Sequence, residues 1–218
     1  MTGAVIRVQL ERTRQRSFAT AVDWPGWSRS GKTPELALAA LAAYEPRYRA
    51  VATVAGLPLP AGPLDFEVIE THEGDAGTSY GVPSRLAAVD SEPTTAPDAR
   101  RLAALVVAAW STLDRIAASA PEALTKGPRG GGRDTSKIVA HVRRAEAGYA
   151  PQLGVKAKLP DEPSAEEVAP LRRELLDVLE RPSDGQPIAK RWTARYAARR
   201  IAWHALDHAW EIEDRTPR

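Results

Sequence analysis

Apolar positions in this chain follow two periods, and the change falls near residue 98. Residues 4–10 (AVIRVQL) and 16–22 (RSFATAV) alternate roughly apolar with polar and are rich in β-branched side chains. Such alternation puts one strand face against a core. A charged turn, ERTRQ, separates the two runs, which predicts an antiparallel pair. The loop DWPGWSRSG follows. Thr33 then offers an N-cap, and Pro34 a first helical residue whose missing N–H costs nothing there. Leu36, Leu38, Leu41 and Tyr44 supply the apolar side of a helix reaching about residue 53. After the turn GLPLPAGP, the segment DFEVIE (65–70) predicts a third strand. Residues 1–73 are thus expected to form a small β-β-α-β unit.

Residues 74–97 are rich in Gly, Pro, Ser and Thr and predict a linker draped over the next unit. Beyond it the period becomes helical. Leu102, Leu105, Val106, Ala109, Leu113 and Ile116 fall on one helix face. A second helix is expected from about 135 to 150, capped by Asp134 or Thr135. The third has a capping box, Ser164 with Glu167, and a stripe of Leu171, Leu175, Val178 and Leu179. The fourth is expected from about 189 to 214. Four one-faced helices of this length suggest a four-helix bundle over residues 98–218. The whole is an α+β chain.

Composition narrows the classes of function. The hydrophobic fraction is 43% and the charged fraction 27%, ordinary globular values. Net charge is +2, and Lys and Arg are scattered, so a nucleic-acid partner is not expected. No run of 18 apolar residues predicts a membrane span, and the first residues lack the apolar core of a signal peptide. Cysteine is absent. That excludes disulfides, zinc–thiolate sites and a cysteine nucleophile, and it fits a cytoplasmic location. Any thiol chemistry would need a cosubstrate to bring the thiol.

One motif is rejected. GWSRSGKT (26–33) matches the phosphate-loop pattern between a strand and a helix. Pro34 disfavours the helical conformation that Thr33 would need, and bulky residues stand where backbone amides should wrap phosphate. A turn at Gly31 and a cap at Thr33 explain the same residues.

The chemistry concentrates in the histidines. His204 and His208 form HALDH in the last helix, and His141 stands in the second helix of the bundle. A spacing of four stacks two imidazoles one turn apart on one face. A third from a neighbouring helix would complete a three-nitrogen site with open positions, the catalytic style of metal site. A lone histidine on a helix is more often a surface or core residue. Here three of only four histidines fall where they could converge. An ion held by three neutral imidazoles could lower the pKa of bound water to about 7 or activate a thiolate.

Around them, Glu211 lies one turn beyond His208, placed to accept an imidazole N–H or to act as a general base. The plainer reading is an exposed helix-end carboxylate. Asp207 is rotated about 60° from His204; it could orient a ligand, and the plainer reading is a solvated or intrahelical ion pair. Lys126, Arg129 and Arg133 flank the stretch GPRGGGRD, which reads as a solvated connection or an anion loop. Arg143, Arg144, Arg199 and Arg200 would hold a carboxylate substrate or solubilise a polar face. Trp203 and Trp210 are expected to pack in the core or an interface. Tyr80 could cover a metal mouth, and His72 is expected at the surface.

Residues 98–218 resemble the DinB/YfiT-like superfamily of metalloenzymes. The resemblance rests on the helical run, His141, and H-x-x-x-H at His204 and His208 within RYAARRIAWHALDHAWEIEDR. It implies a four-helix bundle holding one divalent metal, often zinc or nickel, on those three histidines. It also implies a range of activities: S-transfer or isomerisation with mycothiol, bacillithiol or glutathione, or hydrolysis. The substrate is expected to be a small molecule, and a homodimer fits. The N-terminal segment, with DWPGWSRSGKTPELALAAL, is similar to the HicB-like module. The competing expectation is a non-catalytic interaction protein with a structural or vestigial metal site.

Overall fold

The computed structural model describes residues 3–126 and 132–217. Strands β1 (Ala4–Arg12) and β2 (Ser17–Ala21) pair antiparallel, with Leu10 opposite Ala19. β3 (Ser28–Gly31) pairs antiparallel on the outer side of β2. β4 (Leu64–Glu73) returns parallel to β1, giving the mixed order β3-β2-β1-β4. The α+β expectation holds at this level.

The sequence pattern misses β3. SRSG has no apolar alternation to read, and pairing comes from the preceding turn. Gly26 takes φ +94, the Ala21 N–H donates to the Trp27 carbonyl at 2.9 Å, and the Thr20 and Ser28 hydroxyls meet at 2.6 Å. Half of the phosphate-loop match, residues 28–31, therefore lies on a strand paired with β2. Gly31 is required by packing: a Cβ there would stand 2.5 Å from the Ala37 nitrogen.

The expected single helix is two, α1 (Pro34–Ala43) and α2 (Glu45–Val54), joined at Tyr44. Pro46 is the reason. In the first turn of α2 its missing N–H is harmless, whereas inside a continuous helix its ring would collide with the carbonyl four residues back. Thr33 caps α1 as expected, accepting from the Leu36 N–H. Leu36 itself is 54% exposed, so it is not part of the core face.

Residues 74–97 carry structure. The short helix α3 (Ala76–Tyr80) and a 3-10 turn (Ala88–Ser91) lie in a strap sewn to both sides. On the sheet side, the buried Glu11 carboxylate accepts from the Thr78 hydroxyl, the Ser84 N–H at 3.0 Å and the Arg85 N–H at 3.0 Å. On the helical side, buried Asp90 forms a two-bonded ion pair with buried Arg199.

The helical part comprises α4 (Ala96–Ser119), α5 (Thr135–Tyr149), α6 (Ala165–Leu179) and α7 (Ala194–Arg215). Each packs against the other three. α4 starts two residues before the apolar pattern because Thr95 and Asp98 form a capping box. α7 starts later than expected, after the cap at Thr193. The Ser164–Glu167 box of α6 is present. α4 is long and apolar enough to span a membrane by composition alone, but its Leu102, Leu105, Val106 and Leu113 are buried in the core. One apolar cluster joins Val8, Trp27 and Leu41 to Leu113, Ile138, Leu175 and Leu206. The core thus runs unbroken from sheet to helices.

Candidate metal centre

α5 crosses α7 so that His141 faces the pair on the last helix. The ring centroids lie 5.1 Å apart for His141–His204 and His141–His208, and 4.8 Å for His204–His208. One ligand-capable nitrogen from each ring falls within 4.8 Å of the other two. The planes are steeply inclined, at 75°, 89° and 76°.

His204 is buried, 7% exposed, and its Nδ1 has no hydrogen-bond partner among the described residues. Leaving a buried polar atom unsatisfied costs about 1–3 kcal/mol. A metal ligand is one role that fits this atom. Burial, reinforced by His208 and Arg200, holds His204 well below the usual imidazole pKa. Burial, with Arg133 next, lowers His141 to about 4. Both rings are therefore neutral at pH 7, with a lone pair available.

The third ring is fixed by a chain of contacts along α7. His208 Nδ1 lies 2.7 Å from Glu211 Oε2, and Glu211 Oε1 lies 2.5 Å from Arg215 Nη1. The hydrogen bond to His208 is the leading cause that holds the Glu211 pKa down, despite partial burial. An ionised carboxylate only accepts, so Nδ1 is the donor, and Nε2 is the nitrogen left to face a metal. Both Glu211 oxygens are thereby engaged, an arrangement that orients His208. The Arg215 anchor, i+4 from Glu211, was not singled out in the sequence, although its spacing was readable. Tyr149 was also missed. Its ring lies 5.8 Å from His204, an approach set by the crossing of α5 over α7.

A hollow of about 330 Å³ gives access to His141 and is lined also by Arg133, Lys137, Arg144 and Glu162. Asp207 reaches across to Arg29 of β3 at 2.9 Å and ties sheet to helix. Arg143 donates to the Pro163 carbonyl at 3.1 Å, and Arg199 is spent on Asp90; neither is free for a substrate. Arg144 lies 3.6 Å from Asp161 at the rim. Lys126 pairs with Asp134 at 2.6 Å, and Arg129 lies outside the described residues. Trp210 is buried against Tyr44, and Trp203 packs between Phe18 and His204. Tyr80 is 88% exposed and covers nothing. His72 is half-buried and lies 2.8 Å from Glu70.

No family model matches the chain, and neither curated proteins nor solved structures give a significant match.

Proposed function

We propose that the chain is a metal-dependent enzyme holding one divalent ion on His141, His204 and His208. The observation that carries this is the convergence of three imidazoles, one with a buried nitrogen that none of the described residues satisfies. Imidazole donors suit zinc and nickel. Three protein ligands leave open positions, and a hollow open to small molecules lies beside one of them, His141. A bound ion would supply Lewis acidity at that point. The chain's own residues supply the rest. Glu211 orients the His208 ring through Nδ1, Arg215 holds Glu211, and burial keeps His204 unprotonated. The resemblance to DinB-like proteins directs the reaction class to S-transfer or isomerisation with a low-molecular-weight thiol, or to hydrolysis. With no cysteine in the chain, the thiol would come from the cosubstrate.

The test is elemental mass spectrometry on tag-free protein beside a His204→Ala/His208→Ala variant. The expected result is about one zinc or nickel per chain, lost in the variant. A wild-type protein that takes up no divalent ion after incubation with a panel of them would sink the reading. Attention would then pass to the interaction reading and the free outer edge of β4, where Val68 and Ile69 are exposed.

A further inference from the structure

A cleft of about 490 Å³ opens where the strap meets the start of α7. Three guanidinium groups line it: Arg85 from the strap, Arg191 just before α7, and Arg200 from its second turn. Among the described residues none of the three meets a carboxylate. Arg200 lies over the Trp203 ring at 4.7 Å and the Tyr149 ring at 5.5 Å, and it donates to the Pro83 carbonyl at 3.5 Å. Neighbouring Arg199, by contrast, is neutralised by Asp90.

The acids nearby are already engaged. Glu11 takes the Ser84 and Arg85 amides, and Glu70 takes His72 and the Ala88 N–H. Asp75 is the one carboxylate in the lining, and it accepts from the Ser84 hydroxyl at 2.7 Å and the Thr78 N–H at 3.2 Å. Cationic charge therefore exceeds anionic charge inside the cleft. Its apolar wall combines Val82 and Leu86 with two aromatic rings, Trp192 and Tyr196, set edge to face at 5.3 Å. A small separate void beside it shares Arg85, Tyr196 and Arg200. Cationic forks and aromatic faces in the cleft point to one kind of guest.

We propose that this cleft binds a small flat organic oxyanion, a carboxylate or phosphate ester attached to a ring. Arg85, Arg191 and Arg200 take the charge, and Trp192 and Tyr196 take the ring. Its occupant sits close to the histidine cluster, because Tyr149 touches both Trp192, at 5.1 Å, and His204, at 5.8 Å. Binding here does not require a metal, so it stands or falls separately from the reading above.

The test is isothermal titration calorimetry on metal-depleted full-length protein. The probes are benzoate and phenyl phosphate, with benzyl alcohol and inorganic phosphate as controls lacking the charge or the ring. One ring-bearing anion should bind one per chain, at least about tenfold tighter than either control, and more weakly as salt is raised. Whichever of the two binds tighter identifies the carboxylate or the phosphate source. Arg85→Gln/Arg191→Gln, at two exposed positions, should weaken it at least about tenfold. Trp192→Leu should remove the advantage of the ring over inorganic phosphate. His204→Ala/His208→Ala should bind as the wild type does. The proposal is overturned if neither anion binds, if the double arginine variant binds unchanged, or if binding disappears with the histidines.

Discussion

The seam between sheet and helices and the histidine cluster both take polar groups out of water, but they finish the task differently. At the seam, Asp90 and Arg199 are both nearly inaccessible and make two hydrogen bonds to each other. Gln9 adds a further acceptor to Arg199 at 3.4 Å. Glu11, also buried, is fully supplied with donors from the strap. In the cluster, His204 is just as buried, yet its Nδ1 meets no partner among the described residues. A completed polar network specifies how parts fit together. An incomplete one leaves a group that a ligand from outside could satisfy.

Breaking the seam should have the largest effect. Asp90→Ala leaves a guanidinium buried without its partner, and that costs about 3–5 kcal/mol. Urea unfolding should show the loss as a lower midpoint with the slope unchanged. Asp90→Leu/Arg199→Met removes both charges and should recover much of it. If the single and double variants were equally unstable, the ion pair would not be what holds the strap to α7.

The cluster should respond in the opposite sense. In chelated protein, His204→Leu removes an unsatisfied nitrogen, so stability should stay within about 1 kcal/mol of the wild type or rise. With zinc at a hundredfold its dissociation constant, the wild type should gain about 2.7 kcal/mol and His204→Leu far less. Thermal unfolding with and without zinc reads both. A large loss in the chelated variant would mean that His204 is a packing residue already satisfied.

This contrast explains what could be read from the chain beforehand. His204 and His208 were legible because a spacing of four is a local property of a helix. His141 was legible as a candidate, but its distance from them depends on a crossing angle that no spacing encodes. The same holds for Tyr149 and for the salt link from Asp207 to Arg29, which joins residues far apart in sequence. The capping boxes at Ser164 and the cap at Thr33 were local and visible. β3 was not, because a four-residue edge strand without apolar alternation takes its pairing from its neighbour. Residues 74–97 read as a linker because their composition is turn-like. What makes them a strap is a pair of buried acids: their donors satisfy Glu11 of β1, and their own Asp90 is satisfied by Arg199 of α7.

The smallest effect tests a third kind of polar contact, one at the surface. Asp214, near the end of α7, accepts from the Tyr44 hydroxyl at 2.7 Å and from Arg47 at 2.5 Å, tying the helix to the α1–α2 corner. Burial alone would raise its pKa. The bonds from Arg47 and Tyr44 outweigh that and hold it below the usual carboxylate value. A carboxylate with a lowered folded pKa stabilises the protein above its unfolded value, about pH 4, and the benefit fades as pH falls through the folded pKa. The side chain is 43% exposed, so water screens the pair and the benefit should be about 0–1 kcal/mol. Asp214→Asn should therefore lower the urea midpoint slightly at pH 7 and leave almost no difference from the wild type near pH 2. A deficit that persisted undiminished in acid would assign the contact to hydrogen-bond geometry and not to charge. Asp214 would then behave like the acids of the seam, whose worth lies in satisfying donors as much as in pairing charge.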